Sequence, residues 1–521
     1  MWRWRSSRIL VVGAAGAVFI VGCALPVVAV LLTSLRGATG AFALDARQWA
    51  LLVNSAALGV GTALLATALG APLGLLFARA PLPFKGLLRV AFAAPVLLPP
   101  YVVALAWTYL AGTRGLVATV TGYDLLAAWT YSLPAAVAVL GLVLYPLSML
   151  ATEVALRRID GRLEEAALMV AGPSAVFRRL TLRLAAPGIV AAALVIFVLA
   201  VSEFGVPAVL RVRVYTTEIF TAFAALYEPT RAALLTLPLL ALCLAVAGVA
   251  AALLGDRIVS RRQGADTPGA LRLTRSPTGL AAAAALLATA LALPIGVLAR
   301  EALNSRSVVG VIAGSGEAIA NSLRLAAVGA SVIVGVAAWL GHARARTTGR
   351  AGQLTDVALV VLFAVPGTLV GVGLITVWNR PGPLGAVYGT DTMLVLAYVA
   401  RLLPVAILAL AASAGTVPHA HEEAAALSGA GWLRTMGRIV LPQMRLGLIA
   451  AWFITFVLAF GELGVSILVA PPGETTLPIR IYTIIANAPS SSVAVLALLQ
   501  ASIILGPLLA LGAILAHRES S

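Results

Sequence analysis

Glu422-Glu423-Ala424-Ala425-Ala426-Leu427-Ser428-Gly429, running on to Ile439-Val440-Leu441-Pro442, repeats a stretch met 258 residues earlier. The earlier copy begins Glu164-Glu165-Ala166-Ala167 and continues through Ala171-Gly172 to Leu180-Thr181-Leu182-Arg183. Each is a polar island of about 30 residues in a chain that is otherwise very apolar. Of the 521 residues 61% are hydrophobic and 11% charged, with a mean hydropathy of +1.02. No soluble domain buries that much apolar side chain, so the islands connect membrane-spanning segments.

A bilayer crossing takes about 20 apolar residues in a helix. Twelve runs qualify, at about 8–33, 51–78, 88–111, 131–155, 185–210, 231–255, 279–299, 320–341, 356–378, 392–414, 447–470 and 493–516. All are expected to be helices, because hydrocarbon offers a backbone amide no partner outside its own segment. With the N-terminus in the cytoplasm, the cytoplasmic segments carry 24 of the 36 Lys and Arg residues and the outer loops about ten. That bias puts both termini and both islands inside. The start, Met1 to Arg8 ahead of an apolar run, has no clear small-residue cleavage site and reads as an uncleaved first span.

The repeat extends beyond the islands. Asn54-Ser55 and Asn321-Ser322 each open a second span, and Pro146 and Pro404 lie 19 residues before Glu165 and Glu423. Ser202-Glu203-Phe204-Gly205-Val206 matches Gly461-Glu462-Leu463-Gly464-Val465. The chain therefore reads as all-α, with two parallel six-helix repeats, 1–255 and 277–521. An arginine-rich cytoplasmic linker, 256–276, joins them, and the islands occupy about 156–184 and 415–446.

Several chemistries are excluded. A P-loop needs a lysine behind its glycines, and the one lysine, Lys85, follows Pro81-Leu82-Pro83-Phe84. The chain is thus not expected to hydrolyse ATP. His342, His419, His421 and His517 are scattered, which argues against a metal site, and Cys23 and Cys243 lie in apolar runs, which argues against a disulfide framework. The net charge of +16 is spread over short loops, as topology demands, and does not form a nucleic-acid surface.

Glu203 and Glu462 lie within the fifth span of each half, where a carboxylate is costly and is either functional or paired. Gly205 and Gly464 follow them and are placed to break the helix, as at transporter sites. The two carboxylates either line a path or gate, or cap the break. Arg401, in the tenth span, either attracts an anion or pairs with Glu462; pairing is the expectation.

The islands resemble the EAA loop of the permease subunits of ABC-type importers: EAA, three residues, Gly, then I-x-L-P. The resemblance implies the type I importer permease fold, here with two permease halves in one chain. It implies that Glu165, Ala166, Ala167 and Gly172, and Glu423, Ala424, Ala425 and Gly429, couple to two copies of a cytoplasmic ABC ATPase. ATP and Mg would be bound there and not by this chain. The small residues suit a helix seated in a groove, and Gly429 suits a reversal of the chain. The first copy departs from the pattern: it is one residue shorter, has Ala171 for Gly and Arg183 for Pro. The blander reading is a pair of amphipathic connecting loops. An extracytoplasmic binding protein and a bacterial inner-membrane location, multi-pass, are also implied.

Ser202 to Pro207 and the turn-rich segment Ala470 to Tyr482 resemble the fused ferric-iron permeases, with thiamine, aminoethylphosphonate and polyamine permeases close by. A secondary transporter of the major facilitator type is also six plus six. The loop Ala78 to Arg89 lacks that family's signature.

Overall fold

Leu98 precedes Pro99 and Val365 precedes Pro366, and each X-Pro step pushes its first residue out of the helical region. In the structure, a computed structural model describing residues 2–37, 45–124, 126–259, 269–271, 276–473 and 475–520, both steps break a helix. Leu98 (φ −68°, ψ 135°) ends a 3-10 turn, Ala94–Leu97, and the helix Pro100–Ala111 starts beyond it. Val365 (φ −65°, ψ 124°) ends Gly349–Ala364, and Gly367–Trp378 leaves at 92°. The third run expected, 88–111, is therefore not one straight helix. Lys85–Ala93 precedes the 3-10 turn, and the long apolar stretch is Pro100–Thr121.

All regular structure among the described residues is helical. Among the described residues ten helices are long and apolar enough to cross a membrane, and two bent pairs raise the number to twelve if each is one span. The second bent pair, Trp432–Gln443 and Arg445–Phe460, turns by 75° at Met444, two residues past Pro442. Proline removes one amide from the helix ladder and crowds the carbonyl four residues back. Arg183 stands at the matching place in the first copy, and there Pro173–Ser202 continues as one span. Both copies carry a π-turn at corresponding positions, Phe177–Thr181 and Met436–Val440.

The chain forms two compact units. One comprises 1–43, 218–244 and 314–482; the other comprises 44–217, 245–313 and 483–521. As compact bodies they do not coincide with the runs 1–255 and 277–521. Each unit takes the central helices of one sequence half and the outermost helices of the other. Hydropathy gives a helix its length but not its neighbour, so the exchange leaves no trace in the repeat. The linker, 256–276, falls mostly outside the described residues.

Small residues allow close helix contact within each unit. A Cβ on Gly74 would collide with the Met149 carbonyl of Leu133–Arg157. Gly341, placed like Gly74 in the other unit, lies against the backbone of Asp391–Gly415 from Ile407 to Ala411. In the same unit Gly373 meets the Pro26 backbone, Ser34 Oγ donates to the Ala233 carbonyl at 2.9 Å, and Cys23 reaches Val399.

Candidate functional site

The second island folds into a short helix, His419–Leu427, followed by Gly429 in the left-handed region (φ 79°). That conformation suits glycine, and it reverses the chain into Trp432–Thr435. Of the expected coupling residues, Glu423, Ala424 and Gly429 are exposed and Ala425 is buried. The residue that fastens the helix is the preceding one. Glu422 is buried, with His342 Nε2 at 3.1–3.2 Å from its two oxygens. Arg346 Nε donates to Glu422 Oε1 at 2.8 Å, and Arg346 Nη2 donates both to that oxygen and to the Val417 carbonyl. Burial alone would raise the Glu422 pKa; the hydrogen bonds and charges of His342 and Arg346 outweigh it and bring it to about 2. Trp432, fully buried, stacks at a tilt on Trp339 (5.4 Å between centroids) and faces the His342 ring.

The first island repeats this with different parts. Asp160 caps Gly161–Leu168 by accepting from Arg162 N at 3.0 Å. Glu164, 0% exposed, accepts from Arg79 Nη2 at 2.8 Å and Thr181 Oγ1 at 2.8 Å on one oxygen, and from Leu271 N at 3.2 Å on the other. Glu165 and Ala166 are exposed and Ala167 is half-buried. Gly172 (φ −69°) caps Pro173–Val176 as Gly431 (φ −68°) caps Trp432–Thr435. Gly172 is thus the counterpart of Gly431 and not of Gly429. The first loop turns without a left-handed residue, on a helix of 8 residues against 9.

Sequence reasoning singled out the second glutamate of each pair and missed the first. A signal was present: Arg79 and Arg346 are 267 residues apart, like Asn54 and Asn321. A charged residue that shares the register of the repeat at the inner end of a span is placed to meet a loop acid.

The fifth spans are broken where the Glu-x-Gly motifs fall. Leu182–Ser202 ends at Glu203, whose backbone is extended, and the Glu203 carboxylate accepts from Gly205 N at 2.9 Å and Val206 N at 3.4 Å. Glu462 accepts from Val465 N at 3.1 Å just past Gly461, the cap of Arg445–Phe460, and Gly464 lies in that turn, half-buried. A Cβ on Gly205 would sit 2.8 Å from Tyr101 Cβ, so this position is too tight for a side chain. The chain beyond each break is fastened by the serine of the Asn-Ser repeat. Ser55 Oγ accepts from Tyr215 N at 3.0 Å, and Ser322 Oγ accepts from Leu477 N at 2.6 Å.

Arg401 does not take the partner expected of it. Its guanidinium donates to the Val365 carbonyl and lies 5.9 Å from the centroid of the Phe363 ring. No Arg401–Glu462 ion pair occurs among those of the described residues. The carbonyl freed by the Val365-Pro366 break is the nearer need, and a cation at a helix C-terminus is favoured by the dipole. Val143 stands in Arg401's place in the first copy.

Residues 312–518 match the family model of the binding-protein-dependent transport system inner membrane component. A putative ABC transporter permease of Streptomyces antibioticus is 34% identical over 160 residues, 30% of this chain and 68% of the relative. The chain belongs to this family of ABC permeases. A probable ABC transporter permease of Sinorhizobium fredii is 25% identical over 402 residues, 69% of this chain and 68% of the relative. A putative ferric transport system permease of Haemophilus influenzae is 32% identical over 126 residues, 24% of this chain and 19% of the relative. Permeases named for molybdenum and for 2-aminoethylphosphonate transport also match, over 27% and 23% of this chain.

The protein is therefore a multi-pass membrane permease of a binding-protein-dependent importer, and the secondary-transporter alternative falls. The matched region holds the His419–Leu427 loop with its Glu422 anchor and the break at Gly461-Glu462. In that loop a short helix is fixed by a buried acid while Glu423 and Ala424 stay exposed.

Proposed function

We propose that both halves of this chain act as permease domains and that each island docks one copy of a cytoplasmic ABC ATPase. The observation that carries this reading is the shared anchor. In each loop the first glutamate is buried against an arginine from the end of the second span of its half. The second glutamate and the following alanine are left exposed. ATP and Mg are then bound by the ATPases, and an extracytoplasmic binding protein delivers the cargo. Glu203 and Glu462 shape the helix breaks, since the oxygen of each that meets the following turn is spent on main-chain amides. The membrane is the bacterial inner membrane, with both termini in the cytoplasm.

The cargo favoured is ferric iron. The motif around Glu203 and the segment 470–482 support it, and so does the similarity to a relative named for ferric transport. Relatives named for other cargoes keep molybdate and 2-aminoethylphosphonate as the competing readings. The test is ATP hydrolysis by the reconstituted permease–ATPase complex with its binding protein loaded in turn with ferric iron, molybdate, 2-aminoethylphosphonate, thiamine or a polyamine. Stimulation by the ferric form alone is expected, and stimulation by another cargo alone refutes iron. Purified without its ATPase, the chain should bind no ATP.

A further inference from the structure

The two loop anchors differ in their donors, and one difference points at the linker. Glu422 is held by Arg346 and by His342, four residues earlier on the same helix. Residues four apart share a helix face. The residue four before Arg79 is Leu75, which has no donor. On Glu164, Thr181 Oγ1 shares Oε1 with Arg79, and Oε2 is reached from 107 residues away in sequence by the backbone N–H of Leu271 at 3.2 Å. Two residues earlier the same strand of linker crosses the arginine: a Cβ on Gly269 would fall on the Arg79 guanidinium. Glu164 and Arg79 are both almost fully buried, so a displaced guanidinium or a lost donor has no water to replace it.

We propose that the linker segment Gly269-Ala270-Leu271 is a positioning element of the first loop. It completes the Glu164 anchor and holds the Gly161–Leu168 helix in the orientation that meets the ATPase. In this permease the connection between the halves is then part of the coupling apparatus and not only a tether. This explains how the first loop can do without the histidine and the left-handed glycine of the second. Its functional meaning rests on the proposal that the loops dock ATPase; its structural content does not.

The experiment is hydrogen–deuterium exchange of the full chain in lipid nanodiscs. Leu271→Pro removes the donated N–H, and Gly269→Ala crowds Arg79; Leu271→Ala keeps the N–H and serves as the conservative variant. A hydrogen bond to a charged group, once lost, should raise exchange in 161–168 by about tenfold or more. Exchange in 419–427 should stay as in the wild type, and Leu271→Ala should behave as the wild type in both loops. Unchanged protection of 161–168 in both Leu271→Pro and Gly269→Ala overturns the proposal. So does equal loosening by Leu271→Ala, which would make the side chain the cause. A second arm measures cargo moved per ATP with the ATPase that co-purifies with the permease. Loosened 161–168 with unaltered coupling and ATPase affinity would leave the linker's positioning role intact and overturn the docking reading instead.

Discussion

Glu422 and Glu423 are neighbours in sequence with opposite duties. Replacing Glu422 by Ala strands His342 and Arg346 in a buried site; breaking such a pair costs about 3–5 kcal/mol. Glu422→Ala should therefore lower the thermal unfolding temperature of the permease in detergent and cut uptake. Glu423→Ala, at an exposed position, should cut uptake alone. Equal thermal stability of the two variants would contradict the anchor. The carboxylate also sets a pH window. Its folded pKa, about 2, lies below the ordinary glutamate value of about 4.3. Its contribution is complete above the unfolded value and is lost as pH falls from about 4 towards 2. Exchange protection of 419–427 should therefore hold at pH 5 and fall between pH 4 and 2. Protection unchanged to pH 2 would show that the ion pair does not hold the loop.

Among the elements, the broken helices divide into those shaped by proline and those shaped by an acid cap. Glu203→Gln keeps an oxygen for Gly205 N and Val206 N, so uptake should stay near wild type. Gly205→Leu meets Tyr101 at once and should abolish it. Loss of uptake in the Gln variant at normal expression would instead put the charge itself in the transport path. The bend past Pro442 has a direct test, because its counterpart with Arg183 is unbroken. Pro442→Ala should restore the amide and lengthen the distance between spin labels at Leu433 and Ile454, both substantially exposed. An unchanged distance would assign the bend to packing around Met444.

For the whole molecule, the exchange of outer helices makes the two halves interdependent. Neither 1–255 nor 277–521 contains all the helices of a compact unit. Each half expressed alone should be degraded, and co-expression of the two should recover both. Stable accumulation of either half by itself would argue that the exchanged helices add little. Twelve apolar runs, the duplicated motif and the missing P-loop were legible in sequence, because length, period and residue type are local properties. So was the Glu-x-Gly break, since a carboxylate and a glycine in an apolar run have few other uses. The second glutamate of each pair was chosen over the first because sequence gives a residue's chemistry without its burial. Arg401 was given the wrong partner because a carbonyl freed by Pro366 has no letter of its own. The sequence by itself determined that twelve apolar runs lie along the chain, which segments repeat and that no P-loop motif is present. Only the tertiary structure decided which helices share a unit, which acid is buried in each loop, and that a backbone N–H of the linker reaches the acid of the first. These are contacts between residues tens to hundreds of positions apart, and they depend on burial and backbone direction, which no local pattern encodes.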